Sequence, residues 1–287
     1  EFLPGTLSWL TLILMVLLSW LLPGFVAVFI ILFDIYWVLK TIYLSLHLRS
    51  TFSIMKKNLK VNWFTKLKEE FPDDWQKIIH LVILPMSREP YEVVKESFES
   101  LVKGNYPLEK FIVVLATEKS GGDAAAETAK KIENEFGQKV FRFMITSHPA
   151  GLQGEIPGKG SNETWAAREA KRLIIDQLSI SHENILVSVF DIDTQIFPEY
   201  FGRLTYVFLK SQNRLRAIYQ PIPLFINNVY QAPALARVIS FSSTFWQMMQ
   251  QSRPERLTSF SSQSIPFAAL LFIGYWHTDV VSEDSRS

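Results

Sequence analysis

The chain contains no cysteine. That absence excludes disulfides, thiol catalysis and zinc–cysteine centres. Charge is also missing over one long stretch: from Phe2 to Phe33 there is no Asp, Glu, Lys or Arg. A globular surface does not go uncharged for that length, whereas lipid-embedded chain does. Nor is there a strong excess of either sign, the formal net charge being +1. No nucleic-acid partner is expected, because the basic residues cluster beside the apolar segment. There is no internal repeat and no low-complexity tract.

The 287 residues, 48% of them hydrophobic, suffice for one membrane segment and one α/β domain. The apolar run breaks once, at Pro23-Gly24. We expect two spans, Thr6–Leu22 and Phe25–Leu48, forming a transmembrane hairpin over residues 1–50, since about 20 apolar residues cross a bilayer. A signal peptide would carry a basic n-region and an A-x-A site, and neither is seen. Arg49, Lys56, Lys57, Lys60, Lys66 and Lys68 follow the second span before the next acid, Glu69. Such a basic excess marks the cytoplasmic side. Trp63 and Phe64 interleave with these lysines, so Thr51–Glu70 is expected to lie along the headgroups, within a basic interfacial linker of residues 51–76. This predicts a multi-pass membrane protein with residues 77–287 as a cytoplasmic domain. Asp34, inside the second span, is expected to pair with a neighbouring helix or water, the alternative being that it lines a pathway, because a bare carboxylate there costs about 2.5–3.5 kcal/mol. The start without Met and the stop at Ser287, just after an acidic stretch, lead us to expect a piece of a longer protein.

From Ile78 short β-branched runs alternate with amphipathic helices. The pattern predicts strands over Ile78–Pro85, Phe111–Leu115, Val140–Ile145 and Asn184–Phe190. Helices are predicted over Tyr91–Val102, Ala124–Phe136, Asn162–Gln177 and onward from Pro198, the third with Ala166, Ala170, Leu173 and Gln177 on one face. Alternation of this kind builds a mainly parallel sheet with helices on its faces, and ligands of such sheets collect at the carboxyl ends of the strands. The Gly/Pro-rich "SHPAGLQGEIPGKGS", Ser147 to Ser161, reads as a working loop. It is not a Walker loop: three residues, not four, separate the glycines of "GEIPGKG", and Gly160 stands where Ser or Thr must follow the lysine. Lys159 remains a candidate phosphate-binding cation.

"VSVFDIDTQI" ends a buried strand on two aspartates. Alternation would point Asp191 and Asp193 to the same side. Two like charges held together need a shared proton or a cation. Mg2+ or Mn2+ prefers carboxylates together with diphosphate oxygens, and would neutralise a diphosphate leaving group. The five histidines show no paired ligand spacing on one helix. Phe241, Phe245 and Trp246 read as core or membrane-facing.

Four landmarks in order make the chain resemble glycosyltransferase family 2, inverting enzymes of GT-A fold, and in particular its membrane-bound branch of cellulose and hyaluronan synthases. They are "LVILPMSREPYEVVKESFESLVKGNYPLEKFIVVL", "PGKGSNETWAAR", "DIDT" and "VVSEDS", and the resemblance covers Ile78 to Arg286. It implies that Pro85, Met86, Ser87, Arg88 and Glu89 border the nucleotide of a nucleotide-diphosphate sugar, with a UDP-sugar as the first expectation. Asp191 would approach ribose and diphosphate and share the metal with Asp193. Asp284 would be the general base on the acceptor hydroxyl, of a glycan or a lipid, while Glu283 would point elsewhere. Tyr275 and Trp276 would lie on the acceptor side. The chain departs from the family where an aspartate pair normally reads the base: Leu115 and Ala116 stand there, and Glu118 or Asp123 would have to substitute. The family's Q-x-x-R-W motif is absent. Two other classes compete. A haloacid-dehalogenase-like phosphatase needs the threonine of its D-x-D-x-T one position later than Thr194, and a non-catalytic membrane scaffold would not need Asp191, Asp193 and Asp284.

Overall fold

The computed structural model describes residues 2–227, 229–253, 255 and 257–280. Helix α1 (Leu3–Leu21) and helix α2 (Pro23–Asn58) are separated by Leu22 alone. Proline explains the break: at the first position of α2 its missing N–H costs nothing, while inside a helix it would remove a bond and clash. Both helices are long and apolar enough to cross a membrane, and their apolar windows are almost wholly exposed. At 1.5 Å per residue the 36 residues of α2 reach about 54 Å, well beyond the ~30 Å of a hydrocarbon core. Its less exposed stripe runs through Leu44, His47, Thr51, Met55 and Asn58.

Helix α3 (Trp63–Glu70) is capped by Asn62, whose side chain accepts from the Thr65 N–H at 2.9 Å. Trp63 and Leu67 enter the core of the following domain, so this part of the expected headgroup segment packs as globular structure. The segment looks interfacial in sequence because Lys66 and Lys68 lie over the rings of Trp63 and Phe64.

The domain is a five-stranded sheet in the order β3-β2-β1-β4-β5. Strands β1 (Ile79–Met86), β2 (Phe111–Glu118), β3 (Arg142–His148) and β4 (Ile185–Val189) are parallel, and β5 (Ser264–Pro266) is an antiparallel edge. Successive residues supply opposite faces. Val82, Leu84, Phe111, Val113 and Leu115 pack under α4 (Tyr91–Val102), α5 (Gly122–Phe136) and α7 (Tyr200–Lys210). Leu81, Ile83, Ile112, Val114 and Ala116 pack under α6 (Lys159–Ala170) and α9 (Phe267–Phe272). Burial on both faces is why these strands read as continuous apolar runs. Where α7 meets α3, a Cβ on Gly202 would stand 2.9 Å from the Phe64 nitrogen.

The helix expected over Asn162–Gln177 differs in its second half. After Ala170 the chain makes a π turn, Lys171–Ile175. A π turn delays the helical pattern by one residue, so Ile174 and Ile175 face the core while Leu173 and Gln177 are exposed. Helix α8 (Ala234–Gln251) was not legible as an element. It packs beside α2, with His47 Nδ1 2.8 Å from Ser252 Oγ just past its end. Phe241, Phe245 and Trp246 are exposed on it.

Candidate active site

Sheet order reverses between β1 and β4, β1 leading outward to β2 and β4 lying on its other side. At such a switch point the two connecting loops diverge and leave a crevice at the carboxyl ends of the strands. A cleft of about 540 Å³ lies there, and its walls include Pro85, Ser87, Glu89, Glu118, Lys159, Asn162, Asp191 and Asp193. The lining comprises twelve residues, of which the sequence singles out eight: Met86 and all of those just named except Asn162.

Each wall has a local cause. After β1, Glu89 folds back so that its Oε2 accepts from the Ser87 N–H at 2.7 Å. Gly121 lets the neighbouring loop close on this turn: a Cβ there would sit 2.5 Å from the Ser87 carbonyl oxygen. Pro90 and Val93 bring the start of α4 to the cleft, and Lys159 and Asn162 bring the start of α6. Helix N-termini carry unpaired N–H groups and a partial positive charge, which suits phosphate. Arg88 is outside the lining; it donates to the Ser120 carbonyl at 3.2 Å.

The aspartate pair reaches the cleft differently from the strand alternation expected. Strand β4 stops at Val189, and Asp191–Thr194 is a turn closed by the Thr194 N–H on the Asp191 carbonyl at 2.9 Å. Ile192, between the acids, is buried in the first core, and its carbonyl accepts from Ser97 Oγ at 2.6 Å. The buried isoleucine anchors the turn while both acids border the cleft. Asp193 is exposed, and its carbonyl accepts from Asn227 Nδ2 at 2.7 Å.

Lys159 Nζ lies 3.0 Å from Asp191 Oδ1 and 3.7 Å from Glu163 Oε1. Four carboxylates, on Glu89, Glu118, Asp191 and Asp193, border the cleft with this lysine. Sequence reasoning missed two polar groups here. Ser261 Oγ donates to Asp191 Oδ2. Asn162, only 2% exposed, donates to the Ala116 carbonyl at 2.8 Å, while its Oδ1 has no hydrogen-bond partner among the described residues. The asparagine lay inside a motif already quoted, whereas nothing marked the serine among its neighbours.

Among the described residues no three acidic or histidine side chains gather as a metal cage. Two carboxylates on one turn still fit a hard divalent ion that completes its shell with substrate phosphates and water, the usual mode for Mg2+. Asp191 and Asp193 would supply the protein's share.

Leu115 and Ala116 are fully buried in β2, one on each core face, so neither position can read a base. Glu118 occupies the cleft wall instead, its Oε2 accepting from Ser120 Oγ at 2.9 Å. Asp123 lies in the first turn of α5 and is not part of that wall. Trp276, expected on the acceptor side, is buried in the second core at 3% exposure, and its carbonyl accepts from Thr164 Oγ1 of α6 at 3.1 Å. The Tyr275 ring is covered by the Arg168 guanidinium at 5.2 Å. Neither residue borders the cleft. Asp284 and Glu283 lie outside the described residues.

No family model matches the chain. No curated protein matches it either. Among solved structures it is similar to residues 1–349 of TarS from S. aureus, at 15% identity and a TM-score of 0.42 over 73% of this chain and 53% of that one. The same TarS segment in complex with UDP-GlcNAc gives 16% and 0.42, over 72% and 51%. The mannosyltransferase PcManGT from Pyrobaculum calidifontis, in complex with GDP-Man and Mn2+, gives 12% and 0.48 over 84% of this chain and 61% of that one. The chain thus spans about half the length of the TarS chains it matches. Likeness at this level does not define an activity for it.

Proposed function

We propose that the chain is part of a membrane-anchored, inverting glycosyltransferase that moves a sugar from a nucleotide-diphosphate sugar, with a UDP-sugar as the first candidate, to a hydroxyl acceptor on a glycan or lipid. One observation carries this reading: Asp191 and Asp193 border a cleft at the β1/β4 switch point together with Lys159 and the starts of α4 and α6. A diphosphate is the ligand chemistry these groups share.

In this reading Pro85, Ser87, Glu89 and Glu118 border the nucleoside, and Lys159 counters phosphate charge. Asp191 and Asp193 hold a divalent ion, which when bound neutralises the departing diphosphate. The acceptor oxygen bonds to the anomeric carbon as the carbon–oxygen bond to the diphosphate breaks, and Asp284 takes the hydroxyl proton. General-base help of that kind contributes typically about 10²–10⁴-fold. The apolar helices α1 and α2 form the anchor, with the basic band from Arg49 onward on the cytoplasmic side. The exposed apolar residues of α8, which carries no acid and a single arginine, then rest on the same bilayer.

The test is transfer from radiolabelled UDP- and GDP-sugars by full-length protein in membranes. Asp284→Asn is expected to bind donor normally and to lose transfer by at least a hundredfold. Unchanged turnover in that variant overturns the base assignment, and release of phosphate from simple esters by the wild type supports a phosphatase instead.

A further inference from the structure

Ser261 lies in the segment after α8, its side chain contacts a cleft acid, and Gln220 holds its backbone. Gln220 Oε1 accepts from the Phe260 N–H at 2.7 Å, and its Nε2 donates to the Ser261 carbonyl at 3.4 Å and the Pro221 carbonyl at 3.1 Å. The Gln220 main chain is fixed separately. Its carbonyl accepts from Nε2 of Gln251, the last residue of α8, at 2.9 Å. One residue earlier, Tyr219 exchanges two backbone bonds with Ser264 of β5, at 2.8 and 2.9 Å. Just beyond Ser261, Ser262 has φ 68°. A serine adopts that left-handed conformation only when its surroundings impose it. Phe260 and Ser261 are therefore pinned from outside, and the pin ends on Asp191: Ser261 Oγ donates to Oδ2, while Lys159 Nζ stands 3.1 Å from the same hydroxyl and 3.0 Å from Oδ1.

We propose that Gln220 is a positioning residue for Asp191. Its side-chain amide clamps the Phe260–Ser261 backbone, the clamp keeps the Ser261 hydroxyl on the aspartate, and Gln251 ties the clamp to α8. The orientation of the donor-site acid is thereby set by the helix that packs along α2. This rests on reading Asp191 as a donor-site acid.

The experiment combines hydrogen exchange at residues 257–264 with calorimetric titration of UDP and GDP in Mn2+, using full-length protein. Gln220→Leu removes the amide at similar volume, Gln220→Glu keeps the acceptor for Phe260, and Ser261→Ala removes the hydroxyl alone. Gln220→Leu is expected to speed exchange at Phe260 at least tenfold and to weaken nucleotide binding five- to twentyfold. Gln220→Glu should keep most of the Phe260 protection. Because the glutamine acts through the serine, Gln220→Leu added to Ser261→Ala should weaken binding no further than Ser261→Ala does. Multiplying effects, or Phe260 exchange unchanged in Gln220→Leu, overturns the proposal. Should the wild type bind neither nucleotide, the proposed donor site fails, and the clamp is still decided by exchange at Phe260.

Discussion

The Lys159 ammonium stands 3.0 Å from Asp191 Oδ1, joining the first residue of α6 to the turn after β4. The two side chains are 25% and 46% exposed, so the pair adds little to folding stability. Its position matters more, because a lysine held at a helix N-terminus beside an acid can be shared with an arriving phosphate.

Replacing Lys159 by alanine should therefore weaken nucleotide-diphosphate binding about tenfold, the scale of one lost hydrogen bond to a charged group. The melting temperature should shift by no more than a few degrees. Calorimetry and a thermal melt on the same preparation separate the two effects, and a large melting shift with unchanged affinity would assign the lysine to the fold.

Gly121 tests the wall formed by the β1–α4 turn. Since a Cβ at this position would meet the Ser87 carbonyl at 2.5 Å, Gly121→Ala must displace one loop. Overpacking of this kind costs about 1–3 kcal/mol, readable by urea unfolding, and nucleotide affinity should fall with it. Stability and affinity both at wild-type level would show that the loops do not meet as described.

Leu67 is fully buried. Leu67→Ala should cost about 2–5 kcal/mol, measured by urea unfolding in detergent. A helix lying along lipid headgroups and outside the core would lose almost nothing.

His80 gives a pH dependence of defined sign. Its ring is buried among Tyr106, Phe111 and Phe201 with Nε2 2.9 Å from Thr205 Oγ1, and burial pushes its pKa from 6.5 down to about 3. Between those values the unfolded chain holds a proton on this residue that the folded chain does not. Stability from this source is complete above pH 6.5 and falls by up to about 1.4 kcal/mol per unit as pH drops toward 3. The slope between pH 6 and 4 should shrink in His80→Gln relative to wild type, and an equal slope in both would contradict a neutral buried imidazole.

The parallel sheet was legible because strands buried on both faces leave continuous apolar runs, as in Ile79–Met86 and Phe111–Glu118. The cleft was legible because its residues follow strand ends or open a helix, where composition changes sharply. Other features were hidden for physical reasons. Trp63 and Leu67 sit in a lysine-rich stretch, with Lys66 Nζ over the Trp63 ring, so a core-facing helix resembles a headgroup segment. The π turn at Lys171–Ile175 leaves no mark on composition yet shifts the buried face by one residue. Ser261 and Gln220 act through hydrogen bonds between segments about 40 residues apart, and no local pattern encodes such a meeting.

In the proposed reaction Asp191 and Asp193 hold a divalent ion against a nucleotide diphosphate. Titrating UDP and GDP into full-length protein by calorimetry, with Mn2+ and with EDTA, tests it most directly beside the Asp193→Asn variant. At least one nucleotide should bind in a manner that depends on Mn2+ and weakens more than tenfold in the variant. Binding of neither nucleotide at millimolar concentration, or equal affinity in EDTA and in Asp193→Asn, would contradict it.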